Sequence, residues 1–291
     1  MRRYRVSHTT RYVYESPVLH ATHTLHLEPR SLPHQRVLES RITITPSEAA
    51  LQGGRDYFGN GRHFVEILTP HDVLEVKSES RIEVAPPQLE LTPATRLSWE
   101  KVREQLERDR GLLAAREFCF DSPLVRSHRR LAEYAAPTFT PGRPFVDAIG
   151  ELSERIFSEF KYEPEATDVS TPLAQVLRER RGVCQDFAQL AVGCLRSLGL
   201  AGRYVSGYLE TEPPKGRPKL VGADASHAWA SAFLPTLGWV DFDPTNAIFP
   251  GERHLTLAWG RDFSDVSPLC GIVLGGGDHS LAVAVDVTHE E

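Results

Sequence analysis

The chain has 291 residues, 41% of them hydrophobic and 25% charged, with a formal net charge of −6. That length suits two domains, and the composition is ordinary for a globular protein, which excludes a disordered chain. The charge gives no general pull toward nucleic acid, and no apolar run reaches the roughly 18 residues that a membrane span needs.

The first 90 residues read as short strands. Apolar side chains recur at Tyr12/Tyr14, Leu25/Leu27, Leu38/Ile42/Ile44, Phe64/Leu68, Leu74/Val76 and Ile82/Val84. Pro29, Pro46, Gly53-Gly54, Gly59-Asn60-Gly61 and Pro70 mark turns between them. Such a run predicts an antiparallel β-sandwich over residues 1–90. Ala85-Pro86-Pro87 through Pro93 reads as a stiff linker, and residues 91–291 as a second domain. Helices are expected there at 98–109, 123–135, 144–160 and 172–180, the last with Thr171 as N-cap and Pro172 at the first helical position.

The next helix carries chemistry. Arginines and Gly182 precede Cys184, and an apolar stripe follows at Phe187, Leu190, Ala191, Cys194, Leu195 and Leu198 before Gly199 stops it. The steps i, i+3, i+4, i+7, i+8 and i+11 describe a helix with one buried face. Cys184 therefore sits at a helix N-terminus, where free amides and the helix dipole stabilise a thiolate. A nucleophile there also needs a base and a group that orients the base.

Both are supplied by a predicted hairpin after a strand at about 202–210. In Ser226–Phe233, His227, Trp229, Ser231 and Phe233 alternate with small alanines; in Trp239–Asp243, Trp239, Asp241 and Asp243 alternate with Val240 and Phe242. Pro235 and Gly238 mark the turn. Pairing Phe233 with Trp239 places Asp243 opposite Trp229 and diagonal to His227, and a slip of two residues places it directly opposite His227. Either register brings the two within roughly 5–8 Å at Cβ. Asp241 shares the face but lies nearer the turn, so Asp243 is the expected partner. Helices followed by a sheet make this an α+β domain.

These residues carry a resemblance. Gly-x-Cys-x-x-Phe-Ala at 182–188, Ser-His-Ala-Trp at 226–229 and Gly-Trp-x-x-x-Asp-Pro-Thr-Asn at 238–246 resemble the catalytic core of the transglutaminase-like superfamily. The closer likeness is to a bacterial branch with its own N-terminal domain, often described as cysteine proteases. Asp56-Tyr57-Phe58-Gly59-Asn60, Tyr162-Glu163-Pro164, Gly260–Pro268, Gly275-Gly276-Gly277 and Leu281–Val287 fit that branch too. The resemblance implies a papain-like fold, with Cys184 as nucleophile, His227 as base and Asp243 as orienting carboxylate. It also places an aromatic donor near Tyr162, a candidate for the oxyanion site together with the backbone N–H of Cys184. Gln185 and Trp229 are further candidates for the oxyanion site or the cleft wall.

The expected activity is a thiol hydrolase that cleaves a peptide or protein amide through a thioester. Transfer of the acyl group to an amine is the alternative, weakened because no Asp-x-Asp-x-Asp run suggests a calcium loop. A non-catalytic peptide-binding module is the third reading. No cofactor and no metal are expected: strand alternation separates His23 from His20 and His26, and no Cys or acid spacing supports zinc. Cys119, Cys194 and Cys270 read as structural. Four scattered cysteines and the absence of an apolar signal core at Met1–His8 point to the cytoplasm, with no membrane or nucleic-acid partner. Residues 211–223, rich in proline, glycine and lysine, are expected to form an exposed flap at the cleft.

Overall fold

The computed structural model describes residues 1–87, 92, 95–211 and 226–290. The 211–223 segment lies outside the described residues except for Thr211. Among the described residues, no helix is long and apolar enough to cross a membrane.

The N-terminal unit is an antiparallel sheet built on one long strand. β1 (Arg2–Glu28) absorbs the Tyr12/Tyr14 and Leu25/Leu27 runs that read as separate strands. β2 (Gln35–Thr45), β3 (Ala50–Arg55), β4 (Gly61–Ile67) and β5 (His71–Val84) follow. Along its first half β1 pairs with β5, and along its second with β4, with the register breaking between Val13 and Val18. Both halves feed one apolar cluster that holds Tyr4, Val6, Leu25, Leu27, Val65, Leu74 and Ile82.

The chain returns to this sheet at its far end. β12 (Leu269–Gly275) and β13 (His279–Glu290) pair with β1 and bring the sheet to seven strands in the order β2-β5-β1-β4-β3, with β12 and β13 attached to β1. Residues 269–290 thus pair with the N-terminal sheet rather than with the second unit. Val285 and Val287 are buried in the N-terminal cluster, a long-range pairing that no local pattern encodes.

The second unit opens with helices α1 (Trp99–Arg108), α2 (Leu113–Arg116), α3 (Arg129–Ala135), α4 (Phe145–Glu159) and α5 (Leu173–Glu179). α3 is shorter than the expected 123–135, because Leu124 and Ser127 give their backbone N–H groups to Asp262 and Asp121 (2.8 Å each) rather than to a helix. α5 starts one residue late: Pro172 has ψ 141°, outside the helix, and Thr171 is turned toward Asp168. Short strands β6 (Lys161–Tyr162) and β7 (Arg181–Gly182) then pair in parallel, and α6 (Cys184–Ser197) follows.

Helix α6 packs on a four-stranded antiparallel sheet ordered β10-β9-β8-β11, formed by β8 (Gly202–Leu209), β9 (Ser226–Leu234), β10 (Gly238–Phe242) and β11 (His254–Gly260). The small Ala228, Ala230 and Ala232 let the helix approach β9 closely, and all three are buried. The N-terminal sheet grips the far edge of this sheet. Gln35 exchanges hydrogen bonds with the backbone of Thr256 (2.7 and 2.8 Å), and Asn60 does the same with Trp259 (2.8 and 3.0 Å). Two buried amide side chains thus fix β11 from both of their hydrogen-bonding ends.

Candidate active site

Local geometry puts Cys184 at the first turn of α6. The backbone N–H of Val183, the residue before the helix, donates to Asp186 Oδ2 at 2.8 Å, and Thr167 Oγ1 donates to the same oxygen at 2.6 Å. This cap holds the helix start. A Cβ at position 182 would press on the Asp186 carboxylate, which accounts for Gly182 two residues before the cysteine. Cys184 is half-buried against Ala188, Tyr204, Ala228, Ala258 and Val266.

His227 stands at the start of β9. The register pairs Phe233 with Trp239, the first of the two pairings considered, so Asp243 lies one residue past β10 and diagonal to His227. A bridge to Ile248 and a hydrogen bond from Ser153 Oγ on α4 to its carbonyl (2.9 Å) fix the backbone of Asp243. Its Oδ2 lies 2.7 Å from His227 Nε2. Cys184 is close enough to His227 to favour the charged ring. The structure therefore bonds His227 to Asp243 and sets Cys184 near the ring.

The electrostatics match that geometry. Burial of the His227 ring opposes its charge, but the hydrogen bond to Asp243 and the nearby Cys184 outweigh burial and push it up to about 10. Asp243, fully buried, is disfavoured as an anion by burial, yet hydrogen bonds from His227 and His254 hold it far below the usual carboxylate range. A neighbouring anion and an acceptor from each side are what keep an imidazolium charged in a dry site.

Asp243 has two further side-chain partners. His254 Nε2 lies 3.1 Å from Oδ2, and Asn246 Nδ2 donates to the same oxygen at 2.7 Å, while the Thr245 N–H donates to Oδ1 at 2.9 Å. Asn246 follows in the same motif, so its nearness was available. His254 starts β11 and reaches Asp243 only because the ends of β8 and β10 and the starts of β9 and β11 share one edge of the sheet. The metal-binding atoms of His227, Asp243 and His254 lie within 4.8 Å of one another. They are already joined through a shared carboxylate oxygen at 2.7 and 3.1 Å, an arrangement that needs a proton on each imidazole nitrogen where a cation would otherwise sit.

The remaining expected residues divide. Tyr162, 52% exposed on β6, pairs with Gly182 two residues before Cys184; burial and then the nearby Cys184 raise its hydroxyl above the ordinary value. Gln185 is half-buried beside the cysteine. Trp229 is fully buried rather than part of an open wall: its ring lies 6.0 Å from His227 and 5.3 Å from His254. Its Nε1 donates to Asp241 Oδ2 at 3.1 Å, so the rival carboxylate serves the tryptophan. A Cβ at Gly207 would collide with the Leu255 carbonyl and the Trp229 ring. Gly207→Ala is therefore expected to cost about 1–3 kcal/mol of stability and to lower turnover by shifting Trp229 against the histidines, measurable by thermal unfolding beside an activity assay.

Comparison with known proteins agrees with this arrangement. Residues 4–83 match the model of the bacterial transglutaminase-like N-terminal region, and residues 132–244 that of the transglutaminase-like superfamily. An uncharacterized protein of Mycobacterium tuberculosis is 40% identical over 294 residues, covering 98% of this chain and 92% of its own. The protein-glutamine gamma-glutamyltransferase of Pseudomonas aeruginosa is 30% identical over 107 residues, 34% of this chain and 16% of its own. The crystal structure of a "Putative Cysteine Protease" from Cytophaga hutchinsonii shares the fold, with a TM-score of 0.74 at 18% identity, covering 100% of this chain and 91% of that one.

Proposed function

Because the chain belongs to the transglutaminase-like superfamily, we propose that it is a thiol hydrolase acting on a peptide or protein amide through Cys184, His227 and Asp243. The observation that carries this reading is the 2.7 Å hydrogen bond from His227 to a buried carboxylate, with Cys184 near the ring at a helix N-terminus. His227 holds the proton of Cys184 as a thiolate–imidazolium pair. The sulfur attacks the carbonyl carbon; a C–S bond forms while the carbonyl electrons move onto oxygen. As the C–N bond breaks, the leaving amine takes the proton from His227 and a thioester remains. Water then gives a proton to His227 and its oxygen to the carbonyl carbon, and the thiolate leaves.

The backbone N–H of Cys184 and the Tyr162 hydroxyl are the groups we assign to the oxyanion. Tyr162→Phe is then expected to lower kcat by about 10²–10³ with little change in KM, as measured by steady-state kinetics. An unchanged kcat would remove Tyr162 from the site.

The 30% match to a glutamine gamma-glutamyltransferase favours a second reading, in which an amine resolves the same thioester. Incubating the protein with a glutamine-containing peptide, with and without a primary amine, separates the two by product mass. Carboxylic acid in both samples supports hydrolysis, and an amine adduct that replaces the acid supports transfer. No product in either would count against both. The proposed setting is the cytoplasm: all four cysteines are free, and Cys270 is exposed.

A further inference from the structure

A cavity of about 1110 Å³ lies between the N-terminal sheet and the second unit. Its walls come from Leu32–His34 and Tyr57–Phe58 on one side and from the 111–118 turns and β10 on the other. Cys184, His227 and Asp243 do not line it. The buried Trp229 stands between, in contact with His227 on the triad side and bonded to Asp241 on the cavity side.

Arg203, on β8, is the chemically unusual part of the wall. It is 6% exposed, and its guanidinium is clasped between the rings of Trp239 (4.3 Å) and Trp259 (3.8 Å). A guanidinium carries five N–H donors. Among the described residues, Arg203 makes no hydrogen bond: Nε is buried without a partner, and the Asp241 oxygen that faces it stays 3.9 Å from Nη2. The other Asp241 oxygen is taken by Trp229, and Glu117, the second acid in the wall, receives the Tyr57 hydroxyl at 3.0 Å. Burial brings the group down to about 9, the mark of a charge without adequate compensation. Proteins rarely keep a buried charge in that state unless something else satisfies it. Two indole faces also fix the guanidinium plane, the pre-organisation that suits two-point recognition of an oxyanion.

We propose that this cavity binds a small organic acid, its carboxylate on Arg203 and its apolar body against Phe118, Phe233, Leu237 and Trp239. The ligand is a monoanion with an aromatic or branched aliphatic body, because the wall offers one cation, held from Asp241 by 3.9 Å and without a hydrogen bond among the described residues, beside apolar side chains. The site is separate from the triad and does not depend on the proposed hydrolysis.

Titration of the full chain with 3-phenylpropionate tests this, followed by calorimetry and by tryptophan fluorescence. The uncharged 3-phenylpropanamide and inorganic phosphate serve as comparisons. Saturable binding of 3-phenylpropionate is expected, with quenching of tryptophan emission, and at least about tenfold weaker binding of the amide and of phosphate. Arg203→Met should weaken the acid by about tenfold or more, and Arg203→Lys by less. Leu237→Glu, in the half-buried hairpin turn, leaves Arg203 in place and should weaken the acid by adding a like charge. No saturable binding to the wild type, equal binding of acid and amide, or unchanged affinity in Leu237→Glu and Arg203→Met would overturn the proposal. Phosphate bound as tightly as the acid would overturn the apolar half of the site.

Discussion

Cys184→Ala is expected to abolish turnover of every amide substrate while leaving the fold intact. The cysteine packs against small neighbours at a helix start, so losing its sulfur creates little void, and the Asp186 cap stays in place. The stability change should stay within about 1 kcal/mol by denaturant unfolding, as for a substitution away from the core. Under the proposed mechanism Cys184→Ser should lose roughly 10⁴–10⁶-fold in kcat, because a hydroxyl is a poorer nucleophile than a thiol and His227 and Asp243 cannot act alone. Two of the other thiols are poorly placed to replace it. Burial pushes Cys194 up to about 12 and Cys119 up to about 11, so both stay protonated at neutral pH. Turnover retained by Cys184→Ala would remove the nucleophile from the account.

Asp243 carries the second large effect. Its two oxygens accept from His227, His254, Asn246 and the Thr245 backbone in a fully buried position. Asp243→Ala leaves those donors unpaired, so a loss of about 3–5 kcal/mol is expected, with kcat lower by roughly 10⁴-fold because His227 loses its orientation. Asp243→Asn keeps the shape but removes the charge, and the sign of its effect is fixed by His227. The ring rises from 6.5 to about 10 in the folded protein. The stabilisation from its charge is therefore full below about 6.5 and is lost as pH rises through 10. Activity that needs the imidazolium should likewise hold across neutral pH and fall near 10. In Asp243→Asn that alkaline limb should move down toward neutral pH, as read from kcat/KM against pH. A limb that stays in place would mean that Asp243 does not hold the ring charged.

Much of the site was legible because it is local. Helical spacing after Cys184 and two-residue alternation at 226–233 and 239–243 fix which face each side chain takes, and a short turn limits the register to neighbouring choices. Asp243 could be preferred over Asp241 on those grounds alone, and the structure gives Asp241 to Trp229. What stayed hidden was non-local. His254 meets Asp243 through a four-stranded order in which β11 pairs with β8, far from the hairpin. β12 and β13 rejoin the first strand across the length of the chain, a return that no local pattern signals. Loop polar groups also overrode helix-like spacing, as Asp121 and Asp262 do for residues 123–128. Arg203 reads as an ordinary strand arginine until Trp239 and Trp259, distant in sequence, close on it.

The N-terminal sheet does more than cover the core. Gln35 and Asn60 pin β11, and β11 begins with His254, the second histidine on Asp243. The sheet therefore reaches the Asp243 carboxylate through β11, a chain of contacts that runs from its loops to the strand and then to His254.

The central claim is that Cys184 is an activated thiol paired with His227. Intact mass after brief iodoacetamide treatment at mildly acidic pH, about 6, tests it most directly, because an ordinary thiol is almost unreactive there. Wild type should take up one adduct quickly, Cys184→Ala none at that rate, and His227→Ala one slowly. Slow labelling of the wild type, or label spread over all four cysteines including the exposed Cys270, would contradict the claim and leave the cleft as a binding module.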